Sequence, residues 1–181
     1  MNNTNYWLKE VGLDDGKEYC DLLIELSDYD DVYARPVPKG FTYEDFDYFK
    51  AGRVQLAKGE DLPSNVIKTS TYWVMDNDIP VGYATLKHRI DEGKPGGHFG
   101  LCLKKDVQNK GIGMFVSSEL SRIAYEELGI DKVVFTSKDE NIQSQRSVEK
   151  IGAQLVSIHD GYHFYELDLV KKMNEIKGRK I

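Results

Sequence analysis

With 181 residues, 40% of them hydrophobic and 30% charged, the chain has the size and composition of one globular domain with a sizeable core, which excludes a disordered polymer. A net charge of −6 argues against nucleic acid as the main partner, and no apolar run approaches membrane-spanning length. Cys20 and Cys102 are too few for a disulfide scaffold and lack the neighbours of a zinc site, so no metal is expected.

The acidity is an N-terminal property. Residues 1–61 hold 14 Asp or Glu against 7 Lys or Arg, whereas residues 171–181 hold 5 Lys or Arg and one Glu. Residues 1–5 have neither a basic nor an apolar leader pattern, so a reducing cytoplasm is expected. Residues 6–11 predict a first strand. Asp14-Asp15 are placed to cap a helix through Leu22, Leu23 and Leu26 that ends near Ser27. A turn-rich stretch with Arg35-Pro36-Val37-Pro38 follows. Thr42 and Asp45 approximate a capping box, opening a second helix with Phe46, Phe49 and Val54 on one face.

Residues 70–75 and 79–90 predict a hairpin across Asp76-Asn77-Asp78. Gly93-Lys94-Pro95-Gly96-Gly97 is a turn, and residues 98–103 a further strand. Ile112, Phe115, Val116, Leu120, Ile123, Ala124 and Leu128 recur at helical spacing up to Gly129, a natural helix stop. Residues 132–137 predict a strand, a short helix follows that ends in the run Glu149-Lys150-Ile151-Gly152, and Asp160-Gly161 is the turn of a last hairpin. The expected order is ββ-αα-βββ-α-β-α-ββ, in one domain over residues 1–170. The basic extension 171–181 is sparse in apolar residues and predicts a frayed helix or disorder.

Between the strand Leu101-Cys102-Leu103 and the periodic helix lies Gln108-Asn109-Lys110-Gly111-Ile112-Gly113. Strand, glycine loop and helix in that order present free backbone N–H groups at a positive helix end, a site for phosphorylated ligands. A P-loop needs its lysine after the last glycine, followed by Ser or Thr, but here Lys110 precedes Gly111 and Met114 follows Gly113. A dinucleotide fold needs a third glycine where Val116 stands.

The remaining pattern, Gln-x-x-Gly-x-Gly, resembles the coenzyme A pyrophosphate loop of the GNAT superfamily of acyl-CoA-dependent N-acetyltransferases. Asn141, Ser144 and the Glu149-Lys150-Ile151-Gly152 ending fit the same family, and Gly96-Gly97-His98-Phe99-Gly100, with Pro80-Val81-Gly82-Tyr83 earlier, resembles one bacterial subgroup of its acetyltransferases. The resemblance spans roughly residues 70–169. It implies a mixed α/β (α+β) fold, with a mostly antiparallel central sheet splayed between its central strands and flanked by helices. It further implies acetyl-CoA as co-substrate, held by the main chain of Leu101, Cys102 and Leu103 along its pantetheine arm. Backbone N–H groups of Gln108, Asn109, Lys110, Gly111, Ile112, Gly113 and Met114 would cradle the pyrophosphate, with the Lys110 ammonium either adding a contact or simply solvated.

Asn141 would bond the pantetheine amide region and Ser144 would open the next helix, the plainer reading of Ser144 being an N-cap. Many family members carry a tyrosine seven residues after the Asn as thiolate proton donor. Here Val148 stands there and cannot donate, which leaves another group or water. His98 is the first candidate for general base, against a structural histidine between splayed strands. His88 and His163 are weaker candidates, His159 is expected to be exposed, and Cys102 reads as core rather than nucleophile.

The acceptor region is implied to lie around the first two helices, where Asp28, Tyr29, Asp30, Asp31, Tyr33, Phe41, Tyr43 and Tyr48 make an acidic, aromatic stretch. That acidity would attract a cationic amine or merely be solvated. The expected function is acetyl transfer to a primary amine of a small molecule or peptide by direct attack, in a monomer or homodimer. A coenzyme A-binding sensor without chemistry and a nucleotide-binding α/β domain are the alternatives.

Overall fold

The computed structural model describes residues 5–29, 35–91 and 96–178. In chain order it has β1 (Tyr6–Glu10), α1 (Lys17–Ser27), α2 (Tyr43–Lys58), β2 (Thr69–Asp76), β3 (Ile79–Lys87) and β4 (Phe99–Leu103). A 3-10 turn over Lys105–Val107 then leads to α3 (Ile112–Glu126), β5 (Lys132–Lys138), α4 (Ile142–Lys150), β6 (Gln154–His159), β7 (Tyr162–Asp168) and α5 (Leu169–Gly178). Two antiparallel sheets result, ordered β1-β2-β3-β4 and β5-β7-β6.

The first sheet is buried on both faces, and the two-residue period of its strands sorts the core. Tyr72, Val74, Ala84 and Leu86 pack with Ile112, Val116 and Leu120 of α3. Trp73, Met75, Tyr83 and Cys102 pack on the other side with Leu22, Leu23 and Leu26 of α1 and Phe46 and Phe49 of α2. The β2–β3 hairpin turns through Asn77, whose φ of 53° is a left-handed conformation that asparagine tolerates.

Three expectations change. One strand, not two, precedes the first helices among the described residues, and a helix closes the chain. The N-cap of α1 is Gly16, not Asp14 or Asp15. Asp15 is spent elsewhere. Its buried carboxylate accepts the indole N–H of Trp73 at 2.6 Å and the Gly12 N–H at 2.8 Å, and it pairs with Lys9. In α2 the Thr42–Asp45 motif forms as expected, with the Asp45 carboxylate accepting from the Thr42 N–H and hydroxyl, both at 2.9 Å.

The line drawn at residue 170 falls inside α5, where Leu169 and Met173 are buried four residues apart against the core. Burying two such side chains contributes about 3–6 kcal/mol, enough to hold a short polar helix in place. Residues 1–4, Asp30, Asp31, Tyr33 and the Gly93-Lys94-Pro95 part of the expected turn lie outside the described residues.

Candidate active site

β4 and β5 are the inner edges of the two sheets. They meet where the chain enters β4. The His98 N–H bonds the Val134 carbonyl at 2.8 Å, and the Val134 N–H returns a bond to His98 Nδ1 at 3.0 Å. The N–H groups of Gly96 and Gly97 reach the Thr136 hydroxyl at 3.0 and 3.2 Å. Gly97 is required by this close approach, because a Cβ there would collide with the Val134 carbonyl and come within 2.8 Å of the Phe135 Cα. Beyond Phe99, whose ring meets that of Phe135 edge-on at 5.0 Å, no strand pairing joins β4 to β5 among the described residues, and the sheets splay.

That splay leaves one edge of β4 open. On its other edge, Lys87 N–H bonds the His98 carbonyl and Lys104 N–H bonds the Val81 carbonyl, so residues 100, 102 and 104, with the carbonyl of His98, turn their polar backbone groups toward β3. Phe99, Leu101 and Leu103 therefore turn theirs into the gap. The Leu103 carbonyl is taken by Gln108 Nε2 at 3.1 Å, which also fixes the start of the glycine loop. Of the three residues expected along a pantetheine arm, Leu101 and Leu103 face the gap with their backbone groups. Cys102 bonds toward β3 and buries its side chain with the α1 and α2 core.

The loop then rises to α3. Asn109 and Gly111 take left-handed conformations, φ 61° and 84°, and Gly111 is the N-cap with no side-chain cap. The first amide of this end to find an acceptor is that of Phe115, on the Gly111 carbonyl at 3.1 Å. Those of Ile112, Gly113 and Met114 have none among the described residues, as the geometry of a helix start dictates. No acidic side chain occupies the first turn, so the positive end of the helix is not neutralised from within. Gly111 and Lys110 are exposed and Gly113 half-exposed, leaving the amides open to solvent. Ile112, by contrast, is 1% exposed and anchors the helix in the core.

α4 completes this side. Its N-cap is Asn141, whose Oδ1 accepts the Ser144 N–H at 3.1 Å, so Ser144 is the capped residue rather than the cap. The cap occupies the oxygen of Asn141 and leaves its NH2 donors for other use. Gln143 Nε2 bonds Asn109 Oδ1 at 2.9 Å and ties α4 to the loop. Val148 is buried in the α3-side core, so nothing at that position faces the gap as a proton donor.

His98 is 6% exposed, and burial holds its pKa below the ordinary histidine value. Its Nδ1 accepts a backbone N–H, so the neutral ring carries its proton on Nε2 and its one ring lone pair is already spent. This geometry makes a joint between sheets, at odds with the general base expected there. His88 Nε2 lies 2.9 Å from the Ser70 hydroxyl, and His163 Nε2 lies 3.2 Å from Asp139. His159 is exposed beside Asp160.

On the opposite side of β4, under the α1–α2 connection, two cavities adjoin. The larger, about 480 Å³, is lined by Pro36, Phe41, Tyr48, Phe49, Arg53 and Leu56 among others. The smaller, about 170 Å³, is lined by Arg35, Pro36, Arg53, Tyr83, Thr85 and Gly100. Gly100 is a residue of β4 itself, so this cavity touches the strand that borders the gap. Of the acidic and aromatic stretch expected here, Phe41 and Tyr48 line the larger cavity. Tyr43 instead joins Asp21 and Lys17 on the surface. Tyr29 bonds Glu25 at 2.6 Å and receives the Lys105 N–H at 3.3 Å; burial, with Glu25 beside it, pushes its pKa up to about 12. Arg53 carried no sequence signal, and Tyr83, 30 residues away, entered only as the end of the Pro80-Val81-Gly82-Tyr83 run, with no role assigned to it.

Among the described residues no group of three His, Cys, Asp or Glu side chains is arranged to hold a metal ion, and no helix is long and apolar enough to cross a membrane.

A family model for the acetyltransferase (GNAT) domain matches residues 23–154. No curated protein sequence matches the chain. Among solved structures it is similar to a probable acetyltransferase, 18% identical over 94% of this chain and 96% of that one, with a TM-score of 0.69. It is also similar to the microcin C7 self-immunity acetyltransferase MccE in complex with acetyl-CoA and AMP, 17% identical over 92% and 93% of the two chains, TM-score 0.68. The Campylobacter jejuni N-acetyltransferase PseH in complex with acetyl coenzyme A is 13% identical, covers 91% and 99%, and has a TM-score of 0.60. At these identities the structural likeness is one of fold.

Proposed function

Because the chain belongs to the GNAT acetyltransferase family, we propose that it transfers the acetyl group of acetyl-CoA to a primary amine by direct attack. The observation that carries this reading is the conjunction of two features on one side of the fold. Helix α3 begins with open amides and no acidic first turn, and β4 leaves its Leu101 edge unpaired beside it. A pyrophosphate fits the first and an extended amide-bearing arm the second. The MccE and PseH structures, with acetyl-CoA in their names, favour the same co-substrate.

With the arm along β4, the thioester lies near the middle of that strand, where the acceptor cavity touches Gly100. The amine attacks the thioester carbonyl, a C–N bond forms, the C–S bond breaks, and the amine gives up a proton as the thiolate leaves. Orientation does most of this work. Val148 offers no proton and His98 has no spare lone pair, so water exchanges protons with amine and thiolate. A thiol of ordinary acidity permits this near neutral pH.

The reading is tested by acetyl-CoA turnover across a panel of amines, followed as free thiol with mass detection of the acetylated product. Acceptor-dependent thiol release with an N-acetyl product is expected. Coenzyme A binding with no turnover over a broad panel would instead favour a sensor that has kept the loop and lost the chemistry.

A further inference from the structure

Two buried hydroxyls, those of Thr71 and Tyr83, have no hydrogen-bond partner among the described residues. Tyr83 is 5% exposed and is among the residues that line the smaller cavity beside β4. The Arg53 guanidinium and the Thr71 hydroxyl both act on its hydroxyl, yet neither meets it in hydrogen-bonding geometry. A buried hydroxyl without a partner costs stability, and natural cores rarely keep one without a use.

Arg53 is short of partners as well. It is half-buried, lies over the Phe49 ring at 4.9 Å and over the Tyr83 ring at 5.9 Å, and makes one long contact of 3.5 Å to the Pro36 carbonyl. None of the ion pairs among the described residues involves Arg53. A guanidinium has five donors in a fork matched to planar or tetrahedral oxyanions. Arg35 on the same wall adds a second positive charge, its Nη2 donating to the Tyr29 carbonyl at 2.7 Å.

We propose that this cavity binds an oxyanion of the acceptor, a carboxylate or a phosphate, on the Arg53 guanidinium and the Tyr83 hydroxyl. The proposal rests on the acetyl-transfer reading for its role and on Arg53 and Tyr83 for its chemistry. At about 170 Å³ the cavity lies below the roughly 300 Å³ where whole-ligand pockets begin, so it takes a group, not a molecule. The adjoining 480 Å³ cavity shares Pro36 and Arg53 with it and receives the acceptor's apolar remainder against Phe41, Phe49 and Leu56. Anchoring the anion there sets the amine beside Gly100 on β4. The acceptor is accordingly zwitterionic, not a polycation, despite the acidity of the surrounding chain.

The test compares matched amines with and without the anion: phenylalanine against phenylalaninamide for the carboxylate, O-phosphoethanolamine against ethanolamine for the phosphate. The anionic member of the preferred pair is expected to have a kcat/KM about tenfold or more higher, the size of one charge-assisted contact. Arg53→Met keeps the stem that packs on Phe49 and is expected to abolish this preference through KM. Tyr83→Phe is expected to weaken it, and coenzyme A affinity is expected to stay unchanged in both. Equal or better use of the neutral members, or a preference surviving in Arg53→Met, overturns the proposal.

Should no amine turn over, thermal stabilisation by acetate and by inorganic phosphate decides, read at constant ionic strength with coenzyme A filling the loop. Saturable stabilisation that disappears in Arg53→Met supports the site, and its absence in the parent protein overturns it. A chain that binds no coenzyme A yet responds to phosphate through Arg53 loses the acetyl-transfer reading and keeps the anion site.

Discussion

Replacing His98 with alanine removes the acceptor of the Val134 N–H, and leaving that buried donor unpaired costs about 1–3 kcal/mol. For a chain of this size the expected fall in Tm is about 2–12 °C. The pH dependence follows with a definite sign. Burial lowers the pKa of His98 and of His88 in the folded state, so the unfolded chain binds protons more readily than the folded one. Their contribution to stability is complete above about pH 6.5 and is lost as pH falls from there through the lower folded values. Tm measured against pH is expected to drop more gently on the acid side in His98→Ala than in the parent, while the pH profile of turnover keeps its shape. A variant with an unchanged Tm and a vanished activity limb would restore His98 as a base. The sequence placed His98 at the start of the strand that is β4, but it could not say which ring nitrogen is committed. That depends on Val134, which reaches it only because Gly97 lets β5 come close.

At the scale of elements, Asn141 caps α4 with its oxygen, and its NH2 donors are left for the proposed coenzyme A contact. Asn141→Ala loses both and is expected to cost about 1 kcal/mol of stability along with coenzyme A affinity. Asn141→Asp retains the capping oxygen and adds a charge that a helix N-terminus favours. Its Tm is expected to match or exceed the parent's while coenzyme A affinity falls severalfold. Calorimetric titration with unchanged affinity in Asn141→Asp would reduce the residue to a cap. Local motifs of this kind were legible where their partners are close in sequence, as Thr42 with Asp45 or the hairpin at Asn77. Asp14-Asp15 misled because the cap position competes with a distant claim, the Trp73 indole 58 residues away. For the last segment the sequence left a frayed helix and disorder both open, and α5 is held because Leu169 and Met173 are buried. Their four-residue spacing was the available signal.

Across the whole molecule, the proposed coenzyme A side of the site and the proposed acceptor side differ in how they are written into the chain. The loop from Gln108 to Met114 is contiguous, and its chemistry belongs to the backbone, so glycine placement and helix periodicity expose it. Arg53, Tyr83 and Gly100 become neighbours only when α2 lies across β2 and β3 and β3 pairs with β4, a juxtaposition without local trace. The acidic stretch between the first two helices was open to two readings, a cationic acceptor or plain solvation, and other carboxylates of residues 1–61 are committed within the fold. Asp15 serves Trp73 and Lys9, Asp21 serves Lys17, and Asp45 caps α2. What remains in the wall of the smaller cavity is arginine.

The central claim, that the α3 N-terminus holds coenzyme A, is tested most directly at Gly113. This residue has an ordinary helical backbone, and an added Cβ would meet only Leu101 Cδ2, at 3.7 Å, so Gly113→Val leaves the fold intact while placing bulk over the open amides. Gly111 is a poorer probe, since its φ of 84° would strain any side chain. In calorimetric titration the parent is expected to bind coenzyme A, and Gly113→Val, with an unchanged circular dichroism spectrum, to bind it at least about tenfold more weakly. Equal affinity in a folded Gly113→Val protein would contradict the account.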